Sequence, residues 1–122
     1  MKISIPVDDK NMNAGVSRSF GRAPYFLFYD TESKESTFLN NSAADSRGGA
    51  GIKAAQAIVD NKAEVLLTPR CGENAAEVLG TANIKLYKTI NDSIEDNIKA
   101  YSDGKLTLLN DIHPGLHNGG GK

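Results

Sequence analysis

The sequence has a single cysteine, almost no net charge and no apolar run long enough to cross a membrane. One cysteine, Cys71, excludes an internal disulfide and favours a reducing compartment. A formal charge of −1, from 14 basic and 15 acidic residues, gives no electrostatic sign of nucleic-acid binding. The N-terminal stretch is too short and too alternating for a signal peptide. These absences predict a cytoplasmic protein without a membrane or nucleic-acid partner.

The length and composition fit one soluble domain followed by a tail. The chain has 122 residues, of which 39% are hydrophobic and 24% charged, which suits a single core. Apolar periodicity stops after Leu109, and the last residues are rich in glycine. We therefore predict a single domain over residues 1–109, a flexible tail over residues 110–122, and a monomer.

The first half of the chain predicts three strands. Residues 2–7 alternate between apolar and polar side chains, residues 25–29 form an aromatic run, and residues 36–40 follow a short polar link. So short a link favours an antiparallel hairpin between the second and third strands. Residues 8–24, rich in Asn, Gly, Ser and Arg, predict a long loop between the first two strands.

The second half changes to a helical period, with strands between the helices. Ile52, Ala55 and Ile58 recur at helical spacing. The elements predicted here are a helix at 52–61, a strand at 64–68, a helix at 74–82, a strand at 84–87, and a third helix that Asp92 caps and Gly104 ends.

The order of these elements predicts an α/β fold with a mixed five-stranded sheet. Three strands followed by two right-handed crossovers favour the order 3-2-1-4-5, with strand 2 antiparallel and helices on both faces. In this topology the loops at 8–24, 41–51 and 69–73 meet at one edge, beside the switch point between strands 1 and 4. Open α/β sheets bind ligands at such points, so we expect the functional site there.

A glycine-rich turn opens the first helix. Gly48, Gly49 and Gly51 let the backbone approach a ligand closely and take up positive φ angles. The N-terminus of a helix presents unpaired N–H groups and a partial positive charge, which suits an anion. The alternative is a tight connection that needs small residues where a helix meets a sheet.

Arginines gather in the same predicted loops. Arg18, Arg22 and Arg47 lie in the long loops, and Arg70 follows the fourth strand. Four positive charges at one edge favour an anion site. The alternative is solvated loop charge, with the aspartates of the same loops as partners.

Cys71 is the candidate metal ligand. It follows a strand, has Arg70 beside it and precedes a helix, and these conditions favour a thiolate. One thiolate cannot build a closed zinc or iron–sulfur site, but it could anchor a cluster made elsewhere. The alternative is a small buried hydrophobic residue. The two histidines, His113 and His117, fall in the predicted tail, where we expect them to be solvated.

The residue types in the sequence give little support for a catalytic role. The predicted domain has no histidine that could activate Cys71 or a serine as a general base. A metal-dependent nuclease needs clustered acidic residues to hold two cations, and Asp8 with Asp9 does not meet that need. We therefore expect a protein that is not an enzyme.

Three blocks in order carry a family resemblance. They are Phe-Gly-Arg-Ala-Pro-Tyr-Phe at 20–26, the glycine-rich turn and helix start at 48–56, and the strand, Cys71-Gly72 turn and helix at 67–75. From residue 1 to about residue 104, the chain resembles the dinitrogenase iron–molybdenum cofactor-binding family of nitrogenase accessory proteins.

The resemblance implies both a fold and a function. The implied fold is a ribonuclease H-like, three-layer α/β/α domain without nuclease activity. The implied function is binding or carriage of a metal–sulfur cluster containing molybdenum, iron or both, which the protein can lack when purified. A cluster donor or acceptor protein is the implied partner, and Gly72 joins the implied binding residues.

Two positions depart from the family pattern. Many members have a histidine where this chain has Ser19, and another where it has Arg47. A thiometallate-type anion held by Cys71, the arginines and backbone N–H groups therefore fits better than a histidine-ligated cluster. The alternatives are a small-anion-binding sensor and a protein-interaction domain without a metal.

Overall fold

A computed structural model describes residues 1–110, 112 and 113 of the chain. The strands are β1 (Lys2–Val7), β2 (Tyr25–Asp30), β3 (Ser36–Asn40), β4 (Val65–Thr68), β5 (Cys71–Gly72), β6 (Lys85–Lys88) and β7 (Ile112–His113). The helices are α1 (Ala50–Asp60), α2 (Glu73–Thr81) and α3 (Ile94–Ser102), and a short 3₁₀ turn covers Ser42–Asp45. Of the described helices, none has the length and apolar character that a membrane span requires.

Five strands form one mixed sheet in the order β3-β2-β1-β4-β6. The pairs β1–β2 and β2–β3 are antiparallel, whereas β1–β4 and β4–β6 are parallel. The predicted α/β class, with a mixed five-stranded sheet and three helices, is confirmed. β6 is the strand predicted at 84–87.

The sheet is covered on both faces. On one face, Phe26 and Leu66 pack in a cluster with Ile58 of α1 and Leu79 of α2. On the other face, β1 and β4 contribute to a second cluster that includes Ile94 of α3. Because β1 lies in the middle of the sheet, its residues from Ile3 to Val7 are buried on both faces.

The cap of the third helix differs from the prediction. Ser93, not Asp92, is the N-cap of α3, and its Oγ accepts a hydrogen bond of 3.1 Å from the backbone N–H of Asp96. A serine side chain at this position reaches the N–H of the third helical residue, which is the geometry that the cap requires. Gly104, with a φ angle of 73°, follows the end of the helix as predicted.

The segment after α3 continues along the sheet. The N–H of Leu109 donates to the carbonyl of Leu86 at 2.9 Å, so this segment lies along the edge of the sheet. Ile112–His113 then forms β7, which pairs in parallel with β5. Residues 112 and 113 of the predicted tail are therefore in a strand, and the flexibility of the tail stays a prediction. Residues 114–122, including His117, lie outside the described residues.

Candidate anion-binding pocket

A cavity of about 680 Å³ lies where three predicted loops meet. Its walls come from the 18–22 segment, from the first residues of α1, and from the β5–α2 junction. The predicted site residues that line it are Arg18, Arg22, Gly48, Gly49, Gly51, Arg70, Cys71 and Gly72. Arg47, the remaining predicted residue, is exposed and is not part of the lining.

Two helix N-termini open into this cavity. Gly49 is the N-cap of α1 in the left-handed region (φ 70°), and Gly72 is the N-cap of α2. Neither glycine can supply a side chain to cap the first turn. Because the first intrahelical bond of α1 is from the N–H of Lys53 to Gly49, the three preceding N–H groups lack a partner within the helix. Unpaired N–H groups at a helix N-terminus are the kind of donor that can bind an anion.

The two helix ends are not equivalent. The first turn of α2 carries the carboxylate of Glu73, whereas the first turn of α1 has no acidic residue. A negative side chain near a helix N-terminus offsets part of its positive potential. The end of α1 is therefore the stronger of the two electrostatic attractors.

All four arginines of the chain lie at or beside this cavity, whereas no lysine is among the residues that line it. Arg18 and Arg70 line the cavity and are exposed, and among the described residues neither forms an ion pair. A guanidinium offers five N–H donors in a flat fork that matches multivalent anions better than the compact ammonium of lysine. The segregation of arginine therefore makes this edge the candidate for anion binding.

Arg22 has a role that the sequence did not predict. Its Nη1 donates to the carbonyls of Ala44 at 2.8 Å and Ser46 at 2.7 Å. Arg22 thus lines the cavity and also holds the segment that follows β3. Arg22 is exposed, so its charge is solvated, but backbone carbonyls and not the loop aspartates are its hydrogen-bond partners.

Asn41 is a further residue that sequence reasoning missed. Its side chain is buried, and its Nδ2 donates to the carbonyls of Ala23 at 2.8 Å and Gly21 at 3.2 Å. Its Oδ1 accepts from the N–H of Ala43 at 3.2 Å. An asparagine directly before a short turn is a common capping signal, but the contact with residues 21 and 23 is not visible in the sequence.

Cys71 does not have the environment predicted for a thiolate. Its side chain is 1% exposed and packs in the core cluster on the α1–α2 face, and burial raises the pKa of the thiol to about 12. Arg70 is exposed, and it does not offset this burial. The expectation of a thiolate is therefore wrong for the protein without ligand. Whether Cys71 binds a metal stays a prediction.

The donors of the cavity suit some ligands better than others. In the part of the chain that the structure describes, no three His, Cys, Asp or Glu side chains cluster closely enough to hold a metal ion. The cavity instead combines arginines and backbone N–H groups with an apolar wall that includes Phe20, Ile52 and Ala75. Such a wall offers contact to a large, polarisable ligand. These features fit a preformed anion better than a bare cation.

The sequence matches a known family model. The model is described as dinitrogenase iron–molybdenum cofactor, and it matches residues 1–104. An uncharacterised protein of Methanocaldococcus jannaschii is 28% identical over 109 residues, which are 87% of this chain and 89% of that protein.

Solved structures share the fold. The apo form of the orange protein from Desulfovibrio gigas is similar at a TM-score of 0.85 and 26% identity, over 90% of this chain and 93% of that one. A Thermotoga protein provisionally described as a NifB protein is similar at a TM-score of 0.78 and 36% identity, over 88% and 92% of the two chains.

Proposed function

The chain belongs to the dinitrogenase iron–molybdenum cofactor family, and from this membership and the pocket we propose that it binds and carries a preformed, anionic metal–sulfur cluster. The observation that carries the proposal is the convergence of two helix N-termini, neither capped by its glycine, on a cavity lined by Arg18, Arg22 and Arg70. Few ligands other than a multiply charged anion would use so many donors at once.

The cavity would hold such a cluster largely through charge and N–H donors. The first N–H groups of α1 would bond the terminal atoms of the cluster, and the guanidinium groups would neutralise its charge. Phe20 and Ala75 would contact the sulfur-rich surface, since sulfur is polarisable and binds well against apolar and aromatic groups. Cys71 lines the same cavity, where it would be a neutral thiol or, if metal binding released its proton to solvent, a covalent anchor.

We propose an accessory or chaperone role instead of catalysis. The thiol of Cys71 is a poor nucleophile while burial keeps its pKa near 12. A carrier has to hold its cargo and release it unchanged, which reversible contacts with N–H groups and arginines allow. The cargo would be an iron–molybdenum or other thiometallate species, and a cluster donor or acceptor would be the partner protein. We also propose a ribonuclease H-like fold, a cytoplasmic location and a monomeric state.

A sensor of a small anion is the second candidate. The same donors would bind an oxyanion such as molybdate or phosphate. The volume of the cavity, about 680 Å³, is large for a tetrahedral oxyanion and therefore favours the larger, sulfur-rich ligand.

Titration followed by NMR tests the proposal. We expect tetrathiomolybdate to shift the amide signals of residues 18–22, 48–52 and 70–75 first, and to bind more tightly than molybdate or phosphate. Equal affinity for molybdate would favour the sensor. Shifts confined to the 31–34 turn, at the opposite end of the sheet, would contradict both candidates.

A further inference from the structure

Arg22 and Asn41 reach across the same gap in opposite directions. Arg22, on the segment before β2, donates to the carbonyls of Ala44 and Ser46 after β3. Asn41, at the end of β3, donates to the carbonyls of Gly21 and Ala23 before β2. Each side chain therefore joins the 21–23 and 41–46 segments by hydrogen bonds. Together the two side chains donate to four backbone carbonyls.

We propose that Arg22 and Asn41 are positioning residues that couple the pocket to the 41–46 segment. This inference rests on the proposed function, because it treats the anion as the ligand. Arg22 acts in two places, since it lines the cavity while its Nη1 holds carbonyls of a segment that is not part of the lining. An anion that contacts the pocket side of Arg22 therefore also fixes the 41–46 segment.

The geometry of the guanidinium explains the coupling. Its five donors lie in one rigid plane, and Nη1 is committed to the carbonyls of Ala44 and Ser46. Because the plane is rigid, the bonds of Nη1 also fix the direction in which the remaining donors face an anion.

Asn41 makes the arrangement specific. It is 5% exposed, and its buried amide bonds on both the donor and the acceptor side. A buried amide that lost these partners would incur a desolvation cost, so the segment from 41 to 43 has one favoured position against residues 21 and 23. Arg22 is thereby presented to the cavity in one orientation.

The ordering of this segment would be visible from outside the pocket. Ser42 and Asp45 of the 3₁₀ turn are exposed. A loaded and an empty protein would differ in the rigidity of this surface turn, which gives a partner protein a feature by which to distinguish them.

The test compares two substitutions that keep the positive charge. Arg22→Lys removes the double contact with Ala44 and Ser46, whereas Arg18→Lys makes the same chemical change at a pocket arginine without these bonds. Amide hydrogen exchange is measured at Ala43, Ala44 and Ser46, whose N–H groups are bonded locally. Tetrathiomolybdate affinity is measured at a temperature where both variants are fully folded.

We expect Arg22→Lys to speed exchange at these three amides by about tenfold or more, and to weaken tetrathiomolybdate binding by about tenfold. Arg18→Lys should leave the exchange unchanged and weaken binding by about two- to threefold. In the wild type, saturating tetrathiomolybdate should slow exchange at Ala44 and Ser46, and in Arg22→Lys it should not. A role in folding alone would lower stability without this loss of ligand-dependent protection.

The outcomes separate this inference from the proposed function. If the wild type fails to bind tetrathiomolybdate, the proposed function is wrong, and exchange in the free variants still tests the hydrogen bonds between the two segments. Equal exchange in Arg22→Lys and Arg18→Lys would overturn the positioning role. So would a wild-type protein that binds the probe without added protection at Ala44 and Ser46.

Discussion

A β-carbon placed on Gly21 would come within 3.1 Å of both the Cα and the backbone nitrogen of Gly51. The loop that carries Arg18 and Arg22 thus lies directly against the first turn of α1. This contact between two backbones brings arginine donors and helix N–H groups into one cavity, and only small residues permit it.

Gly21→Ala should therefore destabilise the protein. The added methyl group meets backbone atoms instead of the end of a flexible side chain, so the loop or the helix has to move by a few tenths of an ångström. Overpacking of this kind typically lowers the free energy of unfolding by about 1–3 kcal/mol. Urea unfolding measures the effect. Gly48→Ala is the control, because a β-carbon there meets nothing within 4 Å, and equal losses would contradict the role of the contact.

The C-terminal strand β7 gives a prediction about the wall of the pocket at the β5–α2 junction. Ile112–His113 pairs with Cys71–Gly72, next to the N-terminus of α2. Truncation after Asn110 removes this pairing, and truncation after His113 keeps it. We expect the first truncation to lower the melting temperature by about 4–8 °C more than the second, since the loss of about 1 kcal/mol has this effect in a small domain. Identical melting temperatures by calorimetry would show that β7 adds no stability.

Local pattern predicted the elements well, because strand alternation and helical period are properties of neighbouring residues. The glycine-rich turn and the arginines were also recognisable, since their chemistry is in the residue types themselves. Ser4, in contrast, is at a polar position in the alternating pattern of β1, but it is fully buried. Helices cover both faces of this central strand. Sequence spacing cannot show which face of a central strand will be covered.

The parts that the sequence did not predict depend on contacts between distant segments. Asn41 joins residues 21 and 23, and Cys71 pairs with Ile112. The burial of Cys71 follows from its packing with distant core residues, and its immediate neighbours, Arg70 and Gly72, gave no sign of it. Local charge therefore suggested a thiolate where tertiary packing favours a thiol.

The pKa of Cys71 predicts how stability depends on alkaline pH. The thiol has a pKa of about 12 in the folded protein and about 8.5 when unfolded, so above about pH 8.5 the unfolded chain loses a proton that the folded one keeps. The stability gained from this protonated thiol is complete below about pH 8.5. It falls as the pH rises towards 12, by at most about 1.4 kcal/mol per pH unit.

Unfolding in urea at pH 8, 9 and 10 measures this effect. Between pH 8 and 10 the wild type should lose about 1.5–2 kcal/mol more than Cys71→Ala. Lysines and tyrosines titrate in both proteins, so the difference isolates the thiol. Parallel pH profiles would show that the thiol is not desolvated in solution.

The last prediction decides how Cys71 contributes to ligand binding. If the N–H groups and arginines hold the anion, Cys71→Ala removes a neutral contact and should weaken tetrathiomolybdate binding by only a few-fold. Replacing Arg18 and Arg70 together with glutamine removes two charges from the same cavity, and should weaken binding by about 100-fold if each charged contact contributes about 1.5 kcal/mol. The affinity of this double variant for tetrathiomolybdate should also depend less on salt concentration, because fewer charges are then screened.

The opposite result has an equally definite meaning. A covalent bond between Cys71 and a metal requires the thiol to lose its proton, against a pKa of about 12. That bond would have to be strong enough to offset this cost, so its loss would abolish retention of the cluster. Metal analysis after gel filtration of the loaded variants therefore separates the two modes. Cluster lost by Cys71→Ala but kept by the double arginine variant would establish Cys71 as the anchor and the arginines as secondary.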